Sequence, residues 1–130
     1  MPNSQLLIPV LVYEYIEAGH DFLVRAFGLL AGRIDRDAEG RVVHGEVRTG
    51  TEVIWLHRAM KERGLVSPRS QDAASGGLAV RVDDVDAHFE HARAAGARID
   101  SPPVDQPYGR REYAARDHEG HRWWFGAPLG

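Results

Sequence analysis

Residues 77–98, GLAVRVDDVDAHFEHARAAGAR, change their apolar period part-way along, and that change decides the fold. Gly77 to Val82 is a short apolar run that reads as a strand. From Val85 onward, Val85, Phe89, Ala92 and Ala95 recur on one side at helical spacing, which predicts a helix over 85–95. Asp84 stands where an N-cap carboxylate can accept from the free N–H groups of the first turn. Gly96 follows the helix as a C-terminal glycine does. Beyond it, extended segments are expected around 98–104, 111–116 and 122–127, with Asp117-His118-Glu119-Gly120 as the last turn.

The same order stands upstream. Leu7 to Val12 reads as a strand. Asp21 to Phe27 carries Phe22, Leu23, Ala26 and Phe27 as a helical stripe, and Gly28 ends it. Extended segments follow at 30–36, 42–49 and 52–58, with a turn at 37–40. Gly50-Thr51 has the form of a two-residue hairpin loop with glycine first. Residues 59–76 are polar and rich in Ser, Gly and Arg, and read as a connecting loop with a helical turn at 59–63. The expectation is one α+β domain over 1–130. It has a βαβββ module at 1–58, a connector at 59–76 and a second βαβββ module at 77–130. One helix covers one face of each sheet. Joining two such sheets, within a chain or between two, turns the other faces into a curved mixed sheet around a cleft.

Composition narrows the function. The net charge is −3 with acidic and basic residues interspersed, so no basic block offers a nucleic-acid footprint. There is no cysteine, which removes disulfides, thiolate metal sites and a thiol nucleophile. The stretch MPNSQLLIPVLVYEYIE has no basic leader, and Pro9, Glu14 and Glu17 interrupt its apolar run. It is read as neither signal peptide nor membrane span, which makes cytoplasm the expected compartment. Phosphate loops, nucleophile elbows and paired-carboxylate motifs do not occur in the sequence.

These residues resemble the vicinal oxygen chelate superfamily, the fold of glyoxalase I and the bleomycin resistance proteins. HDFLVRAFGLLAGR resembles its first helix and glycine stop. LAVRVDDVDAHFEHARAAGAR resembles its second strand–turn–helix, and YGRREYAARDHEGHRWWF its final hairpin. The resemblance implies a homodimer. It also implies four metal-ligand positions, on the opening and closing strands of each half, which fall here on Ile8, Trp55, Gly77 and Trp124. None of these side chains can coordinate a metal. The two carboxylate-bearing strands of the family each carry Trp, and an indole suits stacking on planar or cationic ligands. The branch implied is that of the metal-independent bleomycin resistance proteins, which hold an antibiotic at the dimer interface.

With Gly50-Thr51 as the loop, Thr49 pairs with Glu52, Arg48 with Val53, Glu46 with Trp55 and His44 with His57. Val43, Gly45, Val47, Ile54 and Leu56 then face the helix. His44, Glu46, Arg48, Val53, Trp55 and His57 face the cleft. In the second half the cleft set is Gly77, Ala79, Arg81, Arg122, Trp124 and Gly126, with Arg111 and Tyr113 as further expected contacts. Trp123 and Phe125 are assigned to the core. The loop 102–109, with three prolines, either frames the mouth or is a tight connection. His20, His88, His91, His118 and His121 are expected in solvent. The function expected is binding of a small aromatic or planar molecule without cofactor or metal, that is, drug resistance by sequestration, with no catalytic residue assigned. The alternative is a glyoxalase-like lyase or isomerase, or a dioxygenase-type enzyme, using His44, Glu46 and His57 as base or rearranged metal site.

Overall fold

The structure, a computed structural model, describes residues 5–130. The first four residues of the stretch read above as carrying no leader lie outside them. Strand β1 (Val10–Tyr13), helix α1 (Ile16–Phe27) and strands β2 (Leu30–Arg36), β3 (Val42–Thr49) and β4 (Glu52–Arg58) form the first module. A 3₁₀ turn at Lys61–Arg63 and a short helix α2 (Pro68–Gln71) lie in the connector. Strand β5 (Gly77–Arg81), helix α3 (Val85–Ala94) and strands β6 (Arg98–Gln106), β7 (Arg110–Arg116) and β8 (Arg122–Pro128) repeat the pattern. The two sheets are ordered β1-β4-β3-β2 and β5-β8-β7-β6, each with one parallel pair. The α+β architecture and both βαβββ modules are therefore present. Among the described residues no helix is long and apolar enough to cross a membrane.

The predicted β3–β4 register holds from Thr49–Glu52 to His44–His57. Asp84 caps α3 by accepting from Ala87 N–H at 3.0 Å. Differences concentrate at ends. Helix α1 starts at Ile16, not Asp21, because Ile16, Gly19 and His20 extend its buried stripe. Tyr13 lies so close that a Cβ on Gly19 would sit 2.7 Å from its ring. The first strand begins at Val10, leaving Leu6 and Leu7 exposed. Strand β6 runs through Pro102 and Pro103, as the extended segment at 98–104 predicts, and on to Gln106, so most of the expected 102–109 loop is strand. It is a sheet edge with register shifts from Ile99 to Val104, where a residue without an N–H costs no ladder bond.

The helix-bearing faces of both sheets share one core. Phe27, at the end of α1, sits 5.6 Å from the Trp123 ring and 4.8 Å from Phe125 on β8. Leu23, Val47, Leu56, Tyr113, Ala115, Trp123 and Phe125 are fully buried around it. Here the two helix C-termini approach each other, and their unpaired carbonyls need donors. His88 of α3 donates Nε2–H to Phe27 O at 2.9 Å, and His91 donates to Arg25 O at 2.8 Å. Arg25 donates in return to Ala95 O at 2.9 Å. The expectation of solvated histidines is corrected for His20, His88 and His121. His20 reaches Gly32 O and His121 reaches Val12 O.

A second junction is polar and buried. Asp117 accepts from Tyr13 Oη at 2.5 Å, Trp123 Nε1 at 3.2 Å, and the N–H groups of Glu119 and His121. Glu119, 2% exposed, accepts from Glu14 N, Tyr15 N and Ser67 Oγ at 2.8, 2.7 and 2.5 Å. The last turn, expected as a solvent loop, thus clasps β1, α1 and the connector. Burial, and then the Asp117 carboxylate, keep the Tyr13 hydroxyl protonated far above its ordinary range.

Replacing Glu119 by Ala leaves three donors without their acceptor, of which the Ser67 hydroxyl is fully buried. We expect Glu119→Ala to lose about 3 kcal/mol of unfolding free energy in urea titration; a loss below about 1 kcal/mol would contradict the clasp. Titration of His88 supplies a second expectation. Its Nδ1 accepts from Tyr113 Oη at 2.6 Å, so the imidazole is held neutral. Burial lowers its pKa from the ordinary value. The unfolded chain protonates near about 6.5 and so binds more protons than the folded chain just below that pH. Stability contributed by His88 is full above that value and declines as pH falls toward the folded pKa. The decline between about pH 7 and 5 should flatten in His88→Gln. An unchanged slope would show that His88 does not titrate on unfolding.

Candidate ligand-binding face

Because the helix-bearing faces meet in the core, the opposite face of each sheet is left without a covering layer from its own chain. On the first module this face is built by alternation on β3 and β4. Gly45, Val47, Ile54 and Leu56 are buried beneath α1, so their neighbours His44, Glu46, Arg48, Val53, Trp55 and His57 stand on the other side. Strand β1 pairs Val10 with Trp55 in parallel, which brings Ile8 and Val10 to the same side. A hollow of about 530 Å³ is lined by Ile8, Ala31, Gly32, Arg33, Glu46, Arg48, Val53 and Trp55. At Gly32 the backbones of β2 and β3 approach so closely that a Cβ there would lie 2.5 Å from Glu46 O.

Trp55 is 38% exposed, high for an indole, and the His44 ring meets it edge-on at 5.6 Å. Glu46 Oε1 lies 3.6 Å from His44 Nε2 and 3.8 Å from Arg33 Nε. His57 turns aside and donates Nδ1–H to Arg58 O at 2.7 Å. The three residues of the predicted rearranged site therefore do not converge, although His44 and Glu46 are neighbours. Among the described residues no group of three or more His, Cys, Asp or Glu could hold a metal ion.

On the second module the open face carries Gly77, Ala79, Arg81, Glu112, Ala114, Arg116, Arg122 and Trp124. Trp124 differs from Trp55 in being covered. The Arg122 guanidinium lies over its ring, 5.5 Å from the centroid. Trp124 also reaches β5, where a Cβ on Gly77 would sit 2.7 Å from the ring and 2.3 Å from Arg122 O. Two expected contacts are corrected. Tyr113 pairs with Phe125 on the helix side, is fully buried and donates to His88. Its hydroxyl is held protonated above the usual range by that burial. Arg111, on the same side, binds Asp86 of α3 and Asp105 of β6 at 2.9 and 3.0 Å. A strand sends alternate residues to opposite faces, so neither can reach the ligand side. The residues missed are Arg116 and Glu112, which that same alternation brings to the open face.

A profile of the "Glyoxalase/Bleomycin resistance protein/Dioxygenase superfamily" matches residues 9–125. The chain belongs to this superfamily. The structure of TioX from Micromonospora sp. ML1 is 34% identical and superposes with a TM-score of 0.76, over 97% of this chain and 100% of that one. A superfamily protein from Nocardioides is 24% identical, with a TM-score of 0.65, over 97% of this chain and 85% of that one; it speaks for the fold alone. An uncharacterized protein of Mycobacterium bovis is 29% identical over 127 residues, 95% of this chain and 83% of its own length.

Superfamily membership raises the question of a divalent metal, and the residues do not fit one. The four positions identified above are aliphatic, indole, glycine and indole, with no donor atom for a cation among their side chains. Glycine at position 77 has a different use here, since it makes room for the Trp124 ring. Gly77→Ala should cost about 1–3 kcal/mol through overpacking, whereas Gly76→Ala, with open space around its Cβ, should be close to neutral. Equal melting temperatures for the two variants would show that β5 and β8 shift apart at Gly77 and that the Trp124 ring moves with them.

Proposed function

We propose that this superfamily member is a metal-independent binding protein that sequesters a planar aromatic compound, an antibiotic or a similar natural product, in the cytoplasm. The observation that carries this reading is the open Trp55 ring beside a hollow lined by Ile8, Val53, Glu46 and Arg48. Exposed indole on a polar wall suits stacking, where the ring supplies area and the rim supplies orientation. Since both uncovered faces belong to one chain and share its core from behind, a cleft needs a second copy to close it. The protein is therefore proposed to act as a homodimer, with two facing sheets around each ligand. Sequestration lowers free drug in proportion to the protein present.

The test is a fluorescence titration of EDTA-treated protein with a panel of planar aromatic antibiotics, run beside sedimentation of the same sample. A panel member should quench tryptophan emission without added metal, and the protein should sediment as two chains. Trp55→Ala should weaken that binding about fivefold, in line with the stacking energy of an aromatic pair. Binding that needs a divalent ion, or that Trp55→Ala leaves unchanged, would overturn the proposal.

A further inference from the structure

We infer that the bound ring carries an anionic oxygen acceptor, such as a carboxylate, and that Arg122 on its Trp124 seat reads that group. This rests on the cleft reading above and specifies the ligand class for it. The open face of the second module holds five arginines, Arg81, Arg98, Arg110, Arg116 and Arg122, against two carboxylates, Glu112 and Asp100. Arg110 is committed to Glu112 at 3.0 Å and to Val80 O at 3.3 Å. Arg116 takes both oxygens of Asp100 at 3.1 and 3.0 Å. Arg122 is left with a more distant approach, one terminal nitrogen 3.5 Å from the same Asp100. Its Nε is buried and has no hydrogen-bond partner. Arg81, exposed at the end of β5, makes no ion pair among the described residues.

The orphan Nε matters because buried donors are seldom left unpaired, and an exception calls for a missing acceptor. A guanidinium presents parallel N–H donors in a rigid plane that matches a carboxylate. Trp124 holds that plane from below by its π face. The first module differs at the equivalent place. Val53 stands two residues before Trp55, as Arg122 stands two before Trp124, and Glu46 is flanked by His44 and Arg33. One sheet thus offers an exposed ring beside a carboxylate flanked by His44 and Arg33, and the other a cation with an unmet donor. A flat ligand between them meets Trp55 with its ring and Arg122 with its acid.

The test compares two isosteric probes, 2-naphthoate and 2-naphthamide, by calorimetric titration of the full chain. Wild type is expected to bind the acid about tenfold tighter than the amide, the usual advantage of a charged over a neutral hydrogen-bond partner. Added salt should shrink that gap. Arg122→Gln should abolish that gap by weakening the acid about tenfold more than the amide, and Trp55→Ala should weaken both probes alike. Equal affinities in wild type, or a gap that survives in Arg122→Gln, would overturn the role of Arg122 and leave the cleft reading standing. The salt-sensitive gap is measured on wild type alone, so the inference stays falsifiable even if Arg122→Gln does not fold. Failure of wild type to bind either probe would overturn the cleft reading and this inference with it.

Discussion

Two buried carboxylates in one turn determine how the rest of the molecule is arranged. Asp117 and Glu119 sit in a four-residue turn between β7 and β8, yet each accepts several hydrogen bonds from elsewhere in the chain. A carboxylate buried without donors would be very costly, so this turn is stable only when Tyr13, the 14–15 backbone and Ser67 are in place around it. That requirement draws the opening strand of one module onto the closing hairpin of the other. It also sets the direction in which the modules pack. Their helices come together behind the sheets, and Phe27 seats against Trp123 and Phe125. The faces carrying Trp55 and Trp124 are turned outward as a consequence.

Much of this was legible because period and turn chemistry agree locally. The Gly50-Thr51 hairpin sets the β3–β4 register, and one register assigns every residue of both strands to a face. The helix of the second module declares itself by Asp84, by Val85 and Ala92, and by Gly96. What the sequence concealed are long-range partners. Glu119 reads as a solvent residue in a turn, since nothing near it in sequence supplies its three donors. His88 lies on the buried side of α3, one turn after Val85, yet a lone histidine reads as polar surface. Its pairing with Phe27 O depends on how two helix ends meet, which no local pattern encodes. Arg111 and Tyr113 share the parity of Phe125, not of Trp124. The long Asp117–Gly120 turn, unlike a two-residue hairpin, gave no tight anchor for that parity.

The two open faces are related by an internal repeat but have drifted apart chemically. Trp55 and Trp124 occupy corresponding places on β4 and β8, and their surroundings set different tasks. Trp55 has an aliphatic border of Ile8, Val10 and Val53 with a His–Glu pair beside it. Trp124 is packed between a glycine and a guanidinium. Gly77 and Arg122 both bear on Trp124, since a Cβ at 77 would meet the ring at 2.7 Å and the Arg122 guanidinium lies over it.

In the proposed site, indole in place of a metal-binding side chain changes how selectivity arises. A metal site selects by coordinate bonds of fixed length and geometry, so the shape of the surrounding wall can be permissive. Stacking is tolerant of ring identity, because any flat π system offers a face. Discrimination must then come from polar groups at the edge of the ring, where an unmatched donor or acceptor is costly. On this chain those groups are unequal. His44 and Arg33 both approach Glu46, at 3.6 and 3.8 Å, whereas the buried Nε of Arg122 has no partner. In the proposed binding site, the half that looks closed, with its tryptophan covered, is therefore the half that carries the stronger demand on the ligand.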